Sequence, residues 1–176
     1  MITIFLKKNK TFSHNSDHCY SQDDYDCMIE HVPFHRLSCT CGRKSNLVKH
    51  GYYKRSIKSS MTSEKIKFLR VKCTSCGKTH AILPAWVVPY SQIPFQDHLN
   101  IIKAHLSAAA FKGIMQAKPC IDESNIQYLV LQFKKHWKER LTAFKIPLSE
   151  GLCEKCFRIF GRQFMQIKCT PNILFS

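Results

Sequence analysis

Two short cysteine-containing stretches decide the fold of this chain: CTCG at residues 39–42 and CTSCGK at residues 73–78. Each stretch holds two cysteines close together, with a glycine directly after the second. Zn²⁺ binds four thiolates in a tetrahedron, and a tight turn supplies two of them. Glycine lets the backbone turn sharply, so that amides can point at the sulfurs. The pattern predicts the two knuckles of a zinc ribbon that holds one structural Zn²⁺. Its four ligands are Cys39, Cys41, Cys73 and Cys76.

The first knuckle is one residue shorter than the usual CxxC, so ligation by both of its thiolates is open at this stage. His35 is a reserve ligand four residues before Cys39. Ordinary buried thiols are an alternative, because free cysteine is among the most buried residue types. A disulfide framework is a weaker alternative, because the chain shows no signal peptide and a reducing cytosol keeps thiols reduced.

The positive charge is concentrated in one region. The formal net charge is +15, and residues 36–80 hold twelve Lys or Arg against Glu64 alone. Such a field on a small module is typical of a polyanion binder, whereas solubility is served by mixed signs. No apolar run is long enough to span a membrane. We therefore expect a cytoplasmic, nucleoid-associated protein that binds nucleic acid, with double-stranded DNA as the main partner.

Between the cysteine pairs the residues alternate as in strands. Residues 47–55 and 65–72 predict the two strands of a hairpin, and the Ser- and Lys-rich residues 56–64 predict a flexible tip. The apolar positions change parity between Phe68 and Leu69, which indicates a bulge or a strand covered on both faces. The cations expected to contact phosphates are Lys54, Arg55, Lys58, Lys65, Lys67, Arg70 and Lys72.

The segments around the ribbon are less regular. Residues 2–6 are β-branched and aromatic and predict a short strand. Residues 9–31 are polar and predict a loop. Three prolines within residues 79–94 exclude a continuous helix and favour an extended, ordered connector.

The second half changes to a helical period. Apolar residues at 99, 102, 106 and 109 share one helical face, and residues 108–118 predict a second helix with Phe111, Ile114 and Met115 facing inward. Ser124 with Gln127 predicts a capping box for a third helix over residues 124–140. Its apolar stripe is Ile126, Leu129, Val130, Phe133, Trp137, Leu141 and Phe144. The order predicts a helix-turn-helix, and the alternative is a three-helix packing unit that reads no groove.

The third helix carries the candidate residues for DNA contact. Polar side chains near its start can reach base edges, and lysines further along can reach phosphates. These residues are Asn125, Gln127, Tyr128, Gln132, Lys134, Lys135 and Lys138.

A third cysteine pair, Cys153 and Cys156, lies near the end of the chain and is followed by Cys169. A second zinc there would need His136 as a fourth ligand. No glycine follows Cys156, and the apolar residues around it fit a helix face. We expect core-facing thiols and one zinc per chain.

These observations predict an α+β fold with four parts. Residues 1–35 form an N-terminal strand and polar segment, residues 36–80 the zinc ribbon, residues 81–96 the connector and residues 97–176 the helical domain.

The run from Cys39 to Pro94 resembles the zinc ribbon at the amino end of bacterial insertion-sequence transposases. The matching sequences are CTCG, HGYYKR at residues 50–55 and RVKCTSCGKTHAILP at residues 70–84. In that family a helix-turn-helix follows the ribbon, and the resemblance covers roughly residues 36–144. It implies a short relative from a mobile element, with zinc as cofactor and DNA as partner.

The resemblance does not extend to catalysis. Full transposases carry a nuclease domain with three spaced carboxylates that hold two metal ions. The carboxylates after Asp97 fall in helical or loop segments with no strand-rich scaffold: Asp122, Glu123, Glu139, Glu150 and Glu154. His50 and His80 are isolated in the sequence, which argues against a small nuclease.

We therefore expect a non-catalytic DNA-binding protein that acts in transposition, recombination or regulation. Two alternatives remain open. One is an interaction subunit of a recombinase or polymerase complex, docking through the ribbon or the Trp86–Pro94 segment. The other is an RNA-binding zinc protein.

Overall fold

The computed structural model describes residues 2–5, 20–149, 151–167 and 173–175 and confirms a mixed α+β fold. The strands are β1 (Ile2–Phe5), β2 (Leu47–Lys58), β3 (Ser63–Cys73), β4 (Thr79–Pro84) and β5 (Ile173–Phe175). The helices are α1 (Gln22–Glu30), α2 (Phe95–Leu106), α3 (Phe111–Gln116), α4 (Glu123–His136), α5 (Lys138–Ala143) and α6 (Leu152–Phe160), with a 3₁₀ turn at Phe34–Arg36.

The chain divides into two compact units. The first unit contains the sheet and α1 and comprises Met1–Ser56, Glu64–Ala85 and Thr170–Ser176. The second unit contains α2 to α6 together with the turn between β2 and β3, and comprises Ile57–Ser63 and Trp86–Cys169.

The five strands form one sheet in the order β2-β3-β4-β1-β5. Strands β2 and β3 form a hairpin, and β4 runs antiparallel to β3, with His80 opposite Val71. Strand β1 runs parallel to both β4 and β5. The predicted N-terminal strand is confirmed over Ile2–Phe5, while its last expected residue lies outside the described part of the chain.

The change of parity in β3 reflects burial on both faces. The side chains of Phe68 and Leu69 are both inaccessible to solvent. The ring of Phe68 packs against Tyr25 at 4.8 Å and against Tyr53 at 5.8 Å between centroids. Tyr53 and Phe68 thus belong to the core of the first unit, whereas Tyr52 is exposed.

Helix α1 corrects the prediction of a loop over residues 9–31. In the described part of that range, Gln22–Glu30 is helical. The helix begins with a capping box, in which the Ser21 hydroxyl accepts from the Asp24 amide and the Asp24 carboxylate accepts from the Ser21 amide. Tyr25 and Met28 bury the inner face of the helix. The capping box and this burial outweigh the polar composition.

Helix α1 also completes the edge of β3 where β4 diverges from it. The Tyr25 hydroxyl accepts from the Leu69 amide at 2.8 Å and donates to the Ile82 carbonyl at 3.0 Å. One turn earlier, the Gln22 amide accepts from Lys67 N at 2.7 Å and donates to Lys67 O at 3.3 Å. Backbone groups of β3 that a neighbouring strand would pair are therefore paired by side chains.

The tip of the hairpin is shorter and more ordered than the flexible residues 56–64 of the prediction. Strands β2 and β3 extend to Lys58 and Ser63, and the turn is closed by a hydrogen bond from Ser59 N to Thr62 O at 2.8 Å. Ser60 contacts Asp97 and Lys118 within the second unit. These polar contacts order a segment whose Ser-rich composition favours flexibility.

The second unit packs its helices around a continuous apolar core. Large buried members include Ile101, Phe133, Trp137 and Phe164. Leu99 and Ile102 are buried as predicted, but Leu106 and Ala109 are exposed, because α2 ends at Leu106.

Helix α3 is shorter than the predicted 108–118 and is confirmed over Phe111–Gln116. Its Ile114 is buried and Met115 is partly buried, whereas the side chain of Phe111 lies outside the described set.

The predicted third helix is two helices. Helix α4 ends at His136 and α5 begins at Lys138, with Trp137 between them. The predicted capping box is wrong, because Asp122 occupies the N-cap position and Gln127 donates instead to Glu123 at 2.9 Å. Most of the apolar stripe is buried, but Phe144, at its end, is exposed because it follows α5.

The first part of the proline-containing segment is extended as predicted and forms a sheet strand, whereas the part after Pro84 is mostly turns and bends, with Ser91 N bonded to Val88 O at 3.1 Å. Strand β4 takes up Thr79–Pro84. Within the second unit, Val87 then pairs with Pro94 in an isolated bridge, and Val87 and Val88 are fully buried. Among the described residues, no helix has the length and apolar character needed to cross a membrane.

Candidate metal centre and nucleic-acid interface

Four cysteines of the first unit converge. The Sγ atoms of Cys39, Cys41, Cys73 and Cys76 all lie within 4.8 Å of one another. Cys39 Sγ is 3.4 Å from Cys76 Sγ, and Cys41 Sγ is 3.8 Å from Cys73 Sγ. A tetrahedral ion with metal–sulfur bonds of about 2.3 Å requires sulfur–sulfur distances of about 3.8 Å. The four sulfurs therefore fit one metal ion.

Both knuckles close with the same pair of backbone hydrogen bonds. In the second, Gly77 N donates to Cys73 O and Cys73 N to Lys78 O, both at 2.9 Å. In the first, Gly42 N donates to Cys39 O at 2.9 Å and Cys39 N to Arg43 O at 3.0 Å. The shorter knuckle omits one residue inside the turn and still brings both of its sulfurs into the group of four.

Glycine is required at the end of each knuckle. Gly42 has φ +84° and Gly77 has φ +71°, which is the left-handed region that residues with a Cβ adopt at a cost. The conformation returns the chain to the cysteine that opened the turn. The glycines that follow the cysteine pairs thus have a geometric role, as the sequence indicated.

The two halves of the group differ in exposure. Cys39 and Cys73 are buried at 2% and 0% exposure, whereas Cys41 and Cys76 are exposed. Each knuckle therefore contributes one inner and one outer sulfur.

The thiol pKa values indicate that ionisation of one cysteine opposes ionisation of its neighbours. Burial raises the pKa of Cys39, but the Cys41 amide and the side chains of His80 and Cys76 outweigh it and lower that pKa to about 5. The Lys78 amide lowers the pKa of Cys76, but desolvation and the neighbouring sulfurs outweigh it and raise that pKa to about 11. One sulfur ionises easily and then opposes ionisation of its neighbour. A bound dication offsets the repulsion between the sulfurs, so that all four thiols can ionise to thiolates.

His80 is the residue at this centre that the sequence interpretation missed. It lies in β4, is only 5% exposed, and places its Nε2 3.2 Å from Cys39 Sγ. His80 is isolated in the sequence, but the fold places it beside a clustered cysteine. His35, the reserve ligand, is exposed and does not belong to the group of four.

The third cysteine pair forms no comparable group in the described part of the chain. Cys153 and Cys156 are buried in α6, and His136 is not grouped with them. Burial raises the pKa of both thiols, to about 12 for Cys156. Cys169 lies outside the described residues. This environment favours neutral, core-facing thiols.

The ribbon cations selected from the sequence divide into two sets. Those with exposed side chains are Lys54, Lys65, Lys67, Arg70 and Lys72. Arg55 is half-buried and hydrogen-bonds Tyr53, and burial lowers its pKa. Lys58 lies in the second unit and pairs with Asp122 at 2.5 Å. Lys58 is thus already neutralised by a carboxylate 64 residues further along the chain, a contact that no local pattern indicates.

The residues selected on the third predicted helix lie on α4 and just beyond it. Tyr128, Lys134, Lys135 and Lys138 are exposed. Gln132 is half-buried.

The amides at the start of α4 are engaged within the helix. Asn125 Nδ2 donates to Asp122 Oδ2 at 3.0 Å, and Gln127 Nε2 donates to Glu123 Oε1 at 2.9 Å. Glu123 places negative charge at the end of α4 that was expected to approach DNA, while the charge of Asp122 is balanced by Lys58. Lys134 and Lys135 lie in the last turn of α4 and are exposed.

No curated protein and no solved structure matches this chain. One family model does match, over residues 30–122. The matched segment begins before the first cysteine knuckle, contains all four clustered cysteines and ends at Asp122. That segment is more than half of the chain, which therefore belongs to the family described as a domain of unknown function (DUF6431).

Proposed function

We propose that this protein is a non-catalytic, zinc-dependent DNA-binding protein of a mobile genetic element. The observation that carries the proposal is the set of exposed cations on the hairpin that leads into the cysteine group. Four cysteine ligands close the shell of a tetrahedral ion and leave no position for a substrate, so zinc has a structural role. Zinc is proposed over other ions because four thiolates suit it and no redox partner is required of it.

The hairpin supports phosphate contacts. The cations that bind phosphates on this reading are Lys54, Lys65, Lys67, Arg70 and Lys72, all exposed in the first unit. The ion pairs formed within the described residues are Lys58–Asp122 and Lys118–Asp97, and they use none of these five. Cations that are not neutralised by carboxylates supply the sequence-independent part of DNA affinity.

The arrangement of helices in the second unit supports the proposal that α4 contacts the bases of the duplex. The helices α2, α3 and α4 follow one another as in a helix-turn-helix, and α4 buries Ile126, Leu129 and Phe133 toward the core. Its outer side carries Tyr128 and two lysines, which suit contact with a duplex. The resemblance to the amino-terminal region of insertion-sequence transposases supports the same order of ribbon and helices.

A second candidate function is an interaction subunit of a recombinase or polymerase complex. The supporting observation is that Tyr128 and Leu131, one turn apart on α4, are 57% and 59% exposed. Exposed apolar residues close together are a common feature of protein interfaces. On this alternative the partner binds the nucleic acid, and the isolated chain does not.

The test is binding of fluorescent random-sequence duplex DNA to the zinc-loaded chain. The test variant carries Lys54→Ala, Lys65→Ala and Arg70→Ala. The control variant removes three exposed lysines of the second unit that have no assigned role: Lys103→Ala, Lys112→Ala and Lys155→Ala. The net charge of the two variants is equal, so general attraction to DNA is matched.

We expect at least about a tenfold loss of affinity in the hairpin variant and a smaller loss in the control. Equal losses would show that only net charge matters and would overturn the role of the hairpin. No binding by the unmodified chain would favour the interaction subunit. Stronger binding to an RNA of the same length would favour the RNA-binding alternative.

A further inference from the structure

His80 and Cys39 form a close, buried contact between an imidazole and a clustered sulfur. His80 Nε2 lies 3.2 Å from Cys39 Sγ, and the two residues are 5% and 2% exposed. The contact joins β4 to the first knuckle, two segments 41 residues apart in the chain. Water has little access to either atom, so the hydrogen bonds to this sulfur come mainly from protein groups.

The ring lies beside the group of four sulfurs without belonging to it. The atoms that lie within 4.8 Å of one another are the sulfurs of Cys39, Cys41, Cys73 and Cys76. Four thiolates are enough for the shell of a tetrahedral ion. A fifth ligand is not needed, and the position of His80 suits a group that supports one of the ligands from outside.

We propose that His80 is a positioning residue of the metal centre and donates its Nε2 hydrogen to the Cys39 thiolate. The inference rests on the proposed zinc centre. A thiolate bound to a dication has no proton to donate, so the ring must be the donor in this contact. The contact requires only a hydrogen on Nε2, which the Nε2–H tautomer and the imidazolium both carry.

The position of His80 follows from the sheet. His80 pairs with Val71 in the β3–β4 ladder, and β3 ends at the ligand Cys73. The pairing of β3 with β4 therefore positions both the second knuckle and the imidazole of His80. Because the ring is held by a strand, it restricts where Cys39 Sγ can move and withdraws charge from that sulfur.

The consequence is a centre whose inner side is held more firmly than its outer side. Cys39 receives a side-chain hydrogen bond in a buried setting, while Cys41 and Cys76 face solvent. Groups that support a metal ligand from outside typically affect metal affinity by about 10- to 100-fold. Loss of the donor therefore weakens zinc binding while all four ligands remain.

The first experiment compares zinc affinity and the rate of zinc transfer to a chromogenic chelator. His80→Phe keeps a flat ring and removes the donor, whereas His80→Gln restores an N–H donor of similar reach. His50→Phe is the matched control, because His50 is an exposed histidine of the same sheet. We expect about tenfold or greater weakening in His80→Phe, substantial recovery in His80→Gln and no change in His50→Phe.

Two outcomes would overturn the proposal. Unchanged zinc affinity in folded His80→Phe would show that the contact has no role. Equal weakening in His80→Phe and His80→Gln would show that an N–H donor at this position does not restore zinc binding, and would overturn the role of the hydrogen bond.

The second experiment needs no substitution and so applies even where His80→Phe does not fold. Nitrogen chemical shifts of His80 in the zinc-loaded chain report which ring nitrogen carries the hydrogen. A hydrogen on Nε2 is expected, and an Nε2 that carries no hydrogen would overturn the proposal. Failure of the unmodified chain to bind zinc would instead overturn the zinc centre itself, so the two failures are distinguishable.

Discussion

The ammonium group of Lys118 lies 2.8 Å from the carboxylate of Asp97, and both residues are more than nine-tenths buried. Asp97 belongs to α2, and Lys118 follows α3. The Ser60 amide donates to Asp97 Oδ2 at 3.2 Å, the Ser60 hydroxyl also contacts the Asp97 carboxylate, and Lys118 Nζ donates to Ser60 Oγ at 2.6 Å. Within the second unit, one buried ion pair therefore holds the hairpin turn against α2.

Removing one partner of this pair should destabilise the second unit strongly. Lys118→Met leaves a buried carboxylate without its cation, and such losses cost about 3–5 kcal/mol. The measurement is urea denaturation of the purified variant. The double variant Asp97→Asn/Lys118→Met should recover much of the loss, because it leaves no unpaired buried charge.

Asp122→Asn is the matched control, since Asp122 forms an ion pair with Lys58 that is open to solvent. Its stability should stay close to that of the unmodified chain. An equally mild effect of Lys118→Met would contradict the structural role of the buried pair.

The Tyr25 hydroxyl should contribute measurably to the free energy of unfolding of the first unit. It joins Leu69 N to Ile82 O, so Tyr25→Phe leaves a buried amide and a buried carbonyl without this partner. Such a loss costs about 1–3 kcal/mol. Tyr52→Phe, at an exposed position of β2, is the control and should be close to neutral. Similar stabilities for both variants, measured by denaturation, would refute the bridging role.

The buried Tyr25 hydroxyl should also make the stability of the folded chain depend on pH. Burial raises the pKa of Tyr25 well above its usual value of about 10. Above pH 10 the unfolded chain loses this proton while the folded chain keeps it, so stability falls as pH rises. Tyr25→Phe lacks the proton. The stability gap between the unmodified chain and Tyr25→Phe should therefore narrow above pH 10, and a gap that widens there would contradict the burial of the hydroxyl.

Among the cysteines of the chain, the clustered four should be the ones that metal content depends on. Cys73→Ser removes a buried ligand and should release the zinc and unfold the ribbon, because binding and folding are coupled at such sites. Cys153→Ser replaces a buried cysteine of α6 and should keep one zinc per chain. Atomic absorption on the purified proteins measures both. Unchanged zinc in Cys73→Ser would refute the ligand assignment.

The cysteine knuckles could be predicted because their signal is local. The paired cysteines and the glycines Gly42 and Gly77 lie within a few residues of one another, and the structure places them in one group. Burial of β3 on both faces was one of two alternatives that its parity change indicated.

The features that were missed depend on residues far apart in the sequence. His80 belongs to no motif and reaches Cys39 only through the register of β3 and β4. Ser60 and Asp97 are separated by 37 residues, so composition around the turn could not indicate their contact. Helix α1 is different: the Ser21–Asp24 capping box was a local signal, and the acidic, polar composition obscured it.

The central claim is that the exposed cations of a zinc-bearing chain bind DNA through phosphates. The most direct measurement is the affinity of the zinc-loaded chain for random-sequence duplex DNA as a function of salt concentration. Each phosphate contact contributes about −0.9 to the slope of log K against log salt. Contact by most of the five exposed hairpin cations predicts a slope of about −3 to −5. A slope near zero, or no binding at low salt, would contradict the account.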